Sequence, residues 1–403
     1  MRVAVVGAGA SGLFVSGFLA EKGHDVVVFE RNEKVGKKLF ITGKGRCNIT
    51  NLCSVEDFLK NVVRGEKFLK TALYSFSSQD CVDFFENLGL KTKLERGDRI
   101  FPESDRAGDV ISVLKEKHCK NVNFVFNSRV EKIENKNNKF VVVANKKEYI
   151  FDSVVVATGG KSYSATGSSG DGYAIAKEFG HNIIIPRPAL CPIVVKDWFV
   201  SSLQGLPLKN VELNLVADGK KLSFFGEMLF TDKGISGPIV LTASSYINRA
   251  GKVEMSIDFK PALTEVQLNA RLLRDFEQNK NKNFLNVLKG LLPHALCPIF
   301  AKVVGINENK KINEITKQER QRIVERLKKF DLKYGGLYDI EAGIITSGGV
   351  ALNEINPKTF ESKLVEGLYF LGEVLDVDAL TGGFNLQIAF ATAYSMAKNF
   401  KED

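Results

Sequence analysis

The first thirty residues constrain the fold of this 403-residue chain more than any other stretch. They read MRVAVVGAGASGLFVSGFLAEKGHDVVVFE and begin with an apolar run over residues 3–6, which is typical of a buried strand. Gly7, Gly9 and Gly12 follow in G-x-G-x-x-G spacing, before an amphipathic segment and a second apolar run that ends at Glu30. This order of strand, glycine turn, helix, strand and acid predicts a Rossmann unit that binds a dinucleotide.

Each part of this fingerprint has a physical role in holding the dinucleotide. In chain order, the three glycines permit a tight turn, close approach of the backbone to the pyrophosphate, and close packing of helix on strand. The helix N-terminus, with Ala10 and Ser11, offers N–H groups and a partial positive charge to the phosphates. Glu30 is placed to accept a hydrogen bond from a ribose hydroxyl, which favours an unphosphorylated ribose, as in FAD or NAD.

The number of fingerprints helps to choose between these two cofactors. The chain carries one complete fingerprint, and residues 160–370 contain no second one for NAD(P)H. One tightly held dinucleotide beneath a long covering loop favours FAD as the resident cofactor. NAD(P)H would then be a transient electron donor that binds without a Rossmann unit of its own.

A basic loop, GKKLFITGKGRCNITN from Gly36 to Asn51, directly follows the ribose-binding strand. A long loop of glycines and small polar residues at this place is expected to cover the same ligand. Its cations would pair with phosphates or with the negative charge of a reduced flavin, although a solvated basic loop is the alternative. Predicted cofactor contacts in and beside this loop are Arg31, Lys38, Asn48 and Thr50.

Two later stretches predict further contacts with the dinucleotide. A strand over residues 151–157 leads into a Thr-Gly-Gly turn, and a strand over residues 368–371 leads through carboxylates and a second Thr-Gly-Gly sequence into a helix. The N–H groups at the start of that helix would stabilise negative charge on a reduced isoalloxazine. The contacts predicted outside the first fifty residues are Val130, Thr158, Gly159, Gly160, Gly372, Glu373, Asp376, Asn385, Leu386 and Gln387.

The pattern of strands and helices predicts an α/β protein in three parts, in which the middle of the chain interrupts a Rossmann domain. Residues 1–186 and 354–403 form the dinucleotide-binding domain. Residues 187–260 and 336–353 carry short strands separated by turns, which predicts a β-rich inserted domain. Residues 261–335 are rich in helical signals, including two capping boxes, which predicts a small helical subdomain.

Composition is that of an ordinary globular protein, with 44% hydrophobic and 26% charged residues. No apolar run reaches the ~18 residues of a membrane span, and a strand begins at once, which argues against a signal peptide. Six cysteines without C-x-x-C spacing predict neither a metal site nor disulfides, so a reducing, cytoplasmic setting fits. The net charge of +9 favours polyanionic partners, although a lysine-rich proteome would produce the same value.

Several blocks together resemble one known family, the YhiN/BaiN-like FAD-dependent flavoproteins. The GKGRCN and LTGGFNLQ sequences are far more specific than the glycine fingerprint, and the resemblance spans nearly the whole chain in order. The blocks that carry it are residues 7–12 (GAGASG), 36–51, 231–238 (TDKGISGP), 346–350 (TSGGV) and 372–389 (GEVLDVDALTGGFNLQIA).

The resemblance implies a glutathione-reductase-like FAD domain interrupted by a β-rich domain and a small helical domain, together with FAD and oxidoreductase activity. One branch of the family is linked to reducing a uridine of 23S ribosomal RNA to dihydrouridine, and another to reducing bile acids. The expected function is therefore NAD(P)H-dependent reduction of an activated C=C bond in ribosomal RNA. Reduction of a bile-acid-like enone is the alternative.

Either reaction needs a hydride from N5 of the reduced flavin, stabilisation of the developing enolate and a proton from a positioned acid. In uracil the hydride goes to C6 and the proton to C5. Cys47 lies in the basic loop, where Lys44 and Arg46 would tune the pKa of its thiol. We hypothesise that Cys47 is the general acid with these two catalytic neighbours, whereas the alternative is a small packing residue beneath the loop.

Two further functions remain open at this stage. Cys47 and Cys53 would form a redox dithiol beside FAD, but five residues separate them where disulfide reductases have four, and no histidine lies beyond His294. A non-catalytic, FAD-containing RNA-binding protein is the other. The helix around residues 316–330 has one strongly basic face, which favours RNA over a small molecule unless it is merely solvated. Its cations are Arg320, Arg322, Arg326, Lys328 and Lys329.

Overall fold

The computed structural model describes residues 1–401, and the contacts within the chain define two compact units. Unit 1 consists of Met1–Ala189 and the chain from Ile340 onward, and unit 2 is Leu190–Asp339. Unit 1 is therefore built from both ends of the chain, which confirms the prediction of a discontinuous Rossmann domain.

The strands, numbered in chain order, supply both units. They are β1 (Arg2–Val6), β2 (Asp25–Phe29), β3 (Thr50–Asn51), β4 (Val62–Arg64), β5 (Thr92–Glu95), β6 (Arg99–Pro102), β7 (Asn123–Val125), β8 (Val130–Lys136), β9 (Lys139–Ala144), β10 (Lys147–Phe151), β11 (Ser153–Val156), β12 (Ile183–Ala189), β13 (Ile193–Val195), β14 (Pro207–Ala217), β15 (Lys220–Phe230), β16 (Gly234–Ser236), β17 (Val253–Asp258), β18 (Phe330–Leu332), β19 (Tyr334–Leu337), β20 (Ile345–Val350), β21 (Leu368–Phe370) and β22 (Asp378–Ala379).

The α-helices are numbered in the same way. They are α1 (Ala10–Glu21), α2 (Lys37–Ile41), α3 (Val55–Lys60), α4 (Glu66–Ser75), α5 (Ser78–Asn87), α6 (Ala107–Ser112), α7 (Asp171–Glu178), α8 (Pro238–Ile247), α9 (Glu265–Gln278), α10 (Phe284–Leu288), α11 (Cys297–Val304), α12 (Lys317–Lys328) and α13 (Phe384–Lys398). Within residues 1–401, none of the helices combines the length and the apolar character needed to cross a membrane.

The core of unit 1 is a parallel sheet with the strand order β21-β11-β1-β2-β7. Val5 of β1 lies opposite Val155 on one side and Val28 on the other. All three valines are fully buried, as expected for parallel strands covered on both faces. The predicted strand–turn–helix–strand unit at the start of the chain is confirmed by β1, α1 and β2.

Helix α1 is buried around most of its circumference rather than on one face, so the expected amphipathic pattern is absent. The helix packs along α13, and the Phe14 ring centroid lies 4.7 Å from that of Phe390. Gly17 admits the ring of His118, because a Cβ built on Gly17 would lie 2.2 Å from Nε2 of that ring. Nε2 in turn lies 2.9 Å from the carbonyl oxygen of Phe14, to which it donates. The two ends of the chain thus share one apolar core.

The boundary of the inserted region differs from the one drawn from the sequence. The β-rich domain was expected to include residues 336–353, but β20 pairs antiparallel with β12, with Thr346 opposite Pro188, inside unit 1. The two strands bring the chain out of unit 1 and back into it. Residues 340–353 therefore belong with the Rossmann unit by their contacts.

Unit 2 is built on an antiparallel sheet with the order β18-β17-β14-β15-β16-β13-β19. The predicted capping boxes are present at the starts of α9 and α12, where Thr264 and Thr316 cap the helices. One apolar cluster contains residues from this sheet and from α9 to α12. Sheet and helices thus share a core, and a separate helical subdomain over residues 261–335 stays a prediction.

The buried His118 predicts a loss of stability in mild acid. Burial lowers the pKa of this imidazole below its usual ~6.5. Below that pH the unfolded chain binds a proton that the folded chain does not, so the free energy of unfolding falls as the pH drops below about 7. Each unit of the pKa difference contributes ~1.4 kcal/mol. Urea unfolding followed at a series of pH values measures this slope.

The matched variants for this experiment are His118→Gln and His294→Gln. Gln retains a donor for the Phe14 carbonyl but does not titrate, so the slope should flatten in the first variant. His294 is exposed, and the second variant should keep the slope of the natural protein. Equal slopes in both variants would remove His118 as the cause.

Candidate functional site

The turn between β1 and α1 has the backbone contacts that the glycine fingerprint predicts. Gly7 has φ +103°, and a Cβ there would lie 2.7 Å from the carbonyl oxygen of Ala157. A Cβ on Gly12 would lie 1.9 Å from the carbonyl oxygen of Gly7, so helix and turn touch through backbone atoms. A Cβ on Gly9 would meet no atom within 4 Å. Two of the glycines are thus required by the protein itself, whereas Gly9 borders open space.

Gly9 is the N-cap residue of α1, so that open space lies at the N-terminus of this helix. No side chain caps the helix and no acidic residue stands in its first turn, although helix starts usually carry one or both. The N–H groups of this turn, including those of Ala10 and Ser11, would therefore serve a bound anion such as a pyrophosphate. This geometry fits the dinucleotide that the sequence predicts.

Glu30 directly follows β2 and is almost completely buried beside the same turn. Its Oε2 accepts from the N–H of Ala8 (2.9 Å), and its Oε1 accepts from the backbone N (2.9 Å) and Nδ2 (2.7 Å) of Asn32. An ionised carboxylate has about four acceptor positions, so these three bonds leave one for a ribose hydroxyl. Asn32 was not predicted from the sequence. The Arg31 side chain donates a hydrogen bond to Ser169 Oγ (2.6 Å), so it is engaged in a contact within the protein.

A polar network joins the basic loop to the C-terminal block. Lys38 Nζ lies 2.7 Å from Glu373 Oε2 and 2.8 Å from Ser162 Oγ. The N–H of Thr346 donates to Glu373 Oε1 (2.8 Å), and Oγ1 of Thr346 accepts from the N–H of Lys161 (2.7 Å). Two predicted contacts, Lys38 and Glu373, are thus brought together. Ser162 and Thr346 were missed, and the only signal for Thr346 was its place at the start of TSGGV.

The Thr-Gly-Gly turn after β11 lies against this network. A Cβ on Gly160 would lie 2.4 Å from Thr346 Oγ1 and 2.8 Å from Glu373 Oε1, so no larger residue fits there. Gly159 has φ +71°, which favours glycine, and Thr158 Oγ1 would lie 2.2 Å from a Cβ on Gly172. Other residues of the protein pack tightly against this turn, which supports its predicted position. Its contact with a cofactor stays a prediction.

The C-terminal block also meets the fingerprint directly. A Cβ on Gly372 would lie 2.2 Å from Ser11 Oγ, and one on Gly383 would lie 2.5 Å from the backbone of Thr50. Thr50 Oγ1 donates to Gln387 Oε1 (2.8 Å), and Gln387 Nε2 donates to the carbonyl oxygen of Phe76 (2.9 Å). These contacts fix the start of α13 against β3.

Other residues that were predicted to contact the cofactor bond to, or pack against, other parts of the protein. The Asn385 side chain bonds to the N–H and the carbonyl of Ala379, and the Asp376 N–H donates to Val350. Val130 is buried at the start of β8, and Leu386 packs on the core of unit 1. Asn48 differs, because its Oδ1 is buried without a hydrogen-bond partner among the described residues. It is the side chain of this set that most needs a ligand.

The two predicted catalytic cations do not act on the Cys47 thiol. The guanidinium of Arg46 pairs with Glu95 and with Asp105 (Nε–Oδ1 2.7 Å) and lies 4.1 Å from the centroid of the Phe101 ring. Lys44 is exposed, with its backbone in the left-handed region at φ +59°. Both cations face outward, and the ion pairs of Arg46 tie the loop to the β5–β6 hairpin.

Cys47 itself is fully buried in the core of unit 1, with φ +62°. Burial raises the pKa of its thiol to about 12, and only a hydrogen bond with Thr42 opposes this. Lys44 and Arg46, which were expected to tune this pKa, are not among the causes of its shift. The geometry favours the packing alternative for Cys47, and its role as general acid stays a hypothesis.

The dithiol alternative requires a thiolate, and the structure disfavours one at either position. Burial, together with the nearby carboxylates of Asp57 and Asp98, raises the pKa of Cys53 to about 11. Both cysteines are free thiols. A neutral thiol is a poor nucleophile, so this pair lacks the activation that disulfide exchange needs.

Unit 1 also contains a cavity of about 290 Å³ beside α7, outside the turn that the fingerprint forms. Lys161 and Lys177 line it, but none of the predicted cofactor contacts does. The full lining is Lys161, Ser169, Gly170, Tyr173, Ala174, Lys177, Ile183 and Pro186.

Three of the five cations on the basic face of α12 pair with carboxylates within unit 2. Lys328 pairs with Asp258 (2.5 Å), Arg326 pairs with Asp331, and Lys329 lies 3.9 Å from the same aspartate. Arg320 donates to Asn269 Oδ1 (3.0 Å). The helix therefore presents less free positive charge than its sequence indicates.

Comparison with known proteins identifies relatives along the whole chain. A family model described as "HI0933-like protein Rossmann domain" matches residues 1–399. The chain is 33% identical over 403 residues to the "Ribosomal RNA dihydrouridine synthase" of Haemophilus influenzae, covering 98% of this chain and 96% of that protein. It is 32% identical over 402 residues to the "3-dehydro-bile acid delta(4,6)-reductase" of Clostridium scindens, covering 98% and 97%.

Among solved structures, the 3-ketosteroid-delta4-(5alpha)-dehydrogenase from Rhodococcus jostii has a similar fold. Its TM-score is 0.50 at 15% sequence identity, with 98% of this chain and 96% of that chain covered. At this identity the similarity concerns the fold alone.

The open space beside Gly9 predicts a variant that separates cofactor binding from folding. Gly9→Ala should unfold at the same temperature as the natural protein when both lack cofactor, because no atom lies within 4 Å of the added methyl group. Its affinity for FAD should fall at least about tenfold, since the methyl group fills the space that a pyrophosphate needs. Thermal unfolding and titration of FAD fluorescence measure the two effects.

Two glycine variants serve as controls for this experiment. Gly251→Ala in unit 2 places its Cβ 3.6 Å from Asp218 Oδ1 and should change neither quantity. Gly12→Ala should destabilise the protein even without cofactor, because its Cβ would lie 1.9 Å from a carbonyl oxygen. If Gly9→Ala binds FAD with the same affinity as the unsubstituted protein, the dinucleotide must bind elsewhere.

The burial of Cys47 predicts the outcome of its removal. Cys47→Ala should leave the rate of flavin reoxidation by substrate unchanged within about twofold and reduce stability by on the order of 1 kcal/mol. Cys81→Ala, at an equally buried thiol, is the matched control for packing loss. Loss of a general acid lowers rates by about 10²- to 10⁴-fold. A fall of that size in Cys47→Ala alone, seen by rapid mixing, would establish Cys47 as the acid.

Proposed function

The chain belongs to the HI0933-like family, and from that premise we propose that it reduces a uridine of 23S ribosomal RNA to dihydrouridine with electrons from NAD(P)H. At the coarser level it is an FAD-dependent oxidoreductase of the Rossmann type. The relative in Haemophilus influenzae carries the name of this activity and supports the finer assignment.

The residues of unit 1 fit FAD at the positions already described. The first turn of α1 and the open side of Gly9 would receive the pyrophosphate, and the free acceptor position of Glu30 would receive a ribose hydroxyl. Asn48 and the start of α13 would hold the riboflavin half. Bound FAD, reduced by a nicotinamide donor, supplies a hydride.

The residues of the chain have two remaining tasks in such a reaction. They must orient the uracil ring, and they must deliver a proton to C5 while negative charge develops on the adjacent carbonyl. The uncapped start of α13, whose N-cap Gly383 carries no side chain, offers N–H groups of the kind that stabilise negative charge. Cys47 would have to leave its buried position to act as the acid.

The observation that favours RNA over a small molecule is the distribution of charge between the units. Unit 2 has 150 residues and contains 23 lysines and arginines against 16 aspartates and glutamates, a net charge of +7. The larger remainder of the chain contains 33 against 31, a net charge of only +2. A compact unit with this excess attracts a polyanion, whereas a bile-acid-like enone gains little from it.

The second candidate function is reduction of a small-molecule enone. It is supported by the reductase of Clostridium scindens, which is as similar to this chain as the RNA-modifying relative. Both candidates use the same kind of C=C bond beside a carbonyl, so they differ in what surrounds that bond.

Reoxidation of the reduced flavin distinguishes the candidates. The FAD-loaded protein is reduced anaerobically by NADH or NADPH, then mixed with unmodified 23S ribosomal RNA or with a 3-oxo-Δ4 bile acid. We expect rapid recovery of the oxidised flavin absorbance with RNA, and a gain of two hydrogen atoms at a single uridine by mass spectrometry. The rate should fall steeply as salt is raised, since phosphate contacts release counterions.

Further controls keep this assignment open to refutation. RNA already reduced at the target uridine should leave the flavin reduced. Reoxidation by the bile acid alone would replace the RNA assignment with the small-molecule one. Reoxidation by neither, with the flavin reduced normally by the nicotinamide donor, would refute both substrates but not the oxidoreductase class.

A further inference from the structure

We propose that the exposed surface around Trp198 in unit 2 is a stacking platform for an unpaired base of RNA, with Lys196, Lys302 and Lys333 placed for the neighbouring phosphates. We call these four residues the Trp198 platform. The proposal rests on the proposed function, because it names where an RNA substrate would be held.

Trp198 is the only tryptophan of the chain, and its side chain is 60% exposed. Tryptophan is normally among the most buried residues on average, because its ring removes 150–250 Å² from water when it packs. Its neighbour Phe199 does pack, with 3% exposure, in the core of unit 2. The chain therefore keeps one large aromatic ring outside a core that lies one residue away.

The exposed ring stands on an anchored segment of backbone just after β13. The N–H of Lys196 donates to the carbonyl oxygen of Lys333 (2.9 Å), and the N–H of Lys333 donates to Asp197 Oδ2 (2.6 Å). The Phe199 ring meets the Trp198 ring edge-on, at 5.6 Å and 87°. A ring held in this way loses little further freedom when a ligand stacks on it.

One face of the indole already has a cation against it. Lys302 Nζ, from α11, lies 4.3 Å from the centroid of the Trp198 ring. This contact orients the ring and places a positive charge beside it, as in sites where bases stack on aromatic side chains and cations follow the backbone. The residue is nevertheless 60% exposed, so much of its surface is accessible to a base.

The lysines of the platform carry charge that the protein does not neutralise. In the part of the chain that the structure describes, the ammonium groups of Lys196, Lys302 and Lys333 take part in no ion pair, and all three side chains are exposed. The cations of α12 contrast with them, since Arg326 and Lys328 pair with aspartates. The carboxylate of Asp197 is turned to the backbone N–H of Lys333.

A polyanion that also presents flat aromatic groups fits this surface best. Single-stranded RNA combines both features, and stacking of one base on an aromatic side chain contributes about 1–3 kcal/mol. Exposed tryptophan with lysines also occurs on proteins that bind anionic membranes. The concentration of net charge in unit 2 and the RNA substrate proposed above favour RNA, and the membrane is tested as a separate outcome.

The single tryptophan makes the platform directly observable, because all tryptophan fluorescence comes from this site. The FAD-loaded full chain is titrated with single-stranded oligouridine of about ten nucleotides, within the usual site size of such proteins. We expect saturable quenching of the tryptophan emission that weakens as salt is raised. Anisotropy of labelled RNA, measured in parallel, gives the affinity independently of the tryptophan.

Substitutions then separate the platform from general charge. Trp198→Ala should weaken RNA binding by about 5- to 150-fold, whereas Trp198→Phe should keep most of the affinity. Lys302→Gln should lower the slope of log affinity against log salt by about 1. Phe225→Ala is the matched control, since Phe225 is an equally exposed aromatic side chain (63%) on β15 of the same unit, and it should bind RNA normally.

The outcomes distinguish this inference from the proposed function. Natural RNA affinity in Trp198→Ala, or unquenched emission at saturating RNA, would overturn the platform. So would a blue shift with vesicles of anionic phospholipid but not with RNA. If the RNA binds through Trp198 yet does not reoxidise the flavin, the proposed function fails and the platform stands. If the Trp198→Ala variant reduces RNA with the same kcat/KM as the unsubstituted protein, the proposed function stands and the proposal of the Trp198 platform is refuted.

Discussion

Backbone contact at the first turn is the constraint on which the rest of unit 1 depends. The turn at Gly7 lies directly on Ala157 at the end of β11, and α1 lies directly on the turn through Gly12. These contacts bury α1 on most of its sides. Helix α13 packs along one of these sides and supplies the apolar surface that covers it. The chain must therefore return to unit 1 after any excursion. The N-cap residue of this helix is Gly9, so the N–H groups of the first helical turn have no side-chain cap and remain for the predicted anion.

How much of this was visible in the sequence depends on how far apart the interacting residues are. The fingerprint is local, since its strand, turn, helix and acid follow one another within thirty residues, and the order of its elements was predicted correctly. The C-terminal block was recognised by resemblance, and the structure places it against Ser11 and Thr50. The pairing of β12 with β20 was missed, because nothing in either strand specifies a partner so distant in sequence. Ser162 and Thr346 escaped for a similar reason: they meet Glu373 only through contacts between residues that are distant in sequence.

The basic loop shows a different limit, because neighbours in sequence need not share an environment. Arg46 and Cys47 are consecutive, yet the guanidinium reaches surface carboxylates while the thiol enters the core. Left-handed backbone at Lys44 and Cys47 turns the chain sharply enough to separate them. Cations next to a thiol in sequence can lower its pKa, but burial is the larger effect at Cys47 and raises it. Only the three-dimensional path of the loop decides which of the two applies.

The proposed function assigns the cofactor to unit 1 and the attraction of RNA to unit 2, which would account for two substrates among the relatives. A uracil ring and a 3-oxo enone present the same reactive group, a C=C bond beside a carbonyl, so the groups of unit 1 that are proposed to hold the cofactor would have no basis for preferring one over the other. The energetic difference lies in what is attached: a ribosomal RNA carries a phosphate at every nucleotide, and its binding strengthens with each cation that it meets. In this chain the excess charge resides in unit 2, whose compact core is independent of the Rossmann core. Surface charge on such a unit changes with little effect on folding, because exposed substitutions cost little stability. Substrate choice can therefore diverge through unit 2 while the packing around Gly7 and Gly12 stays the same.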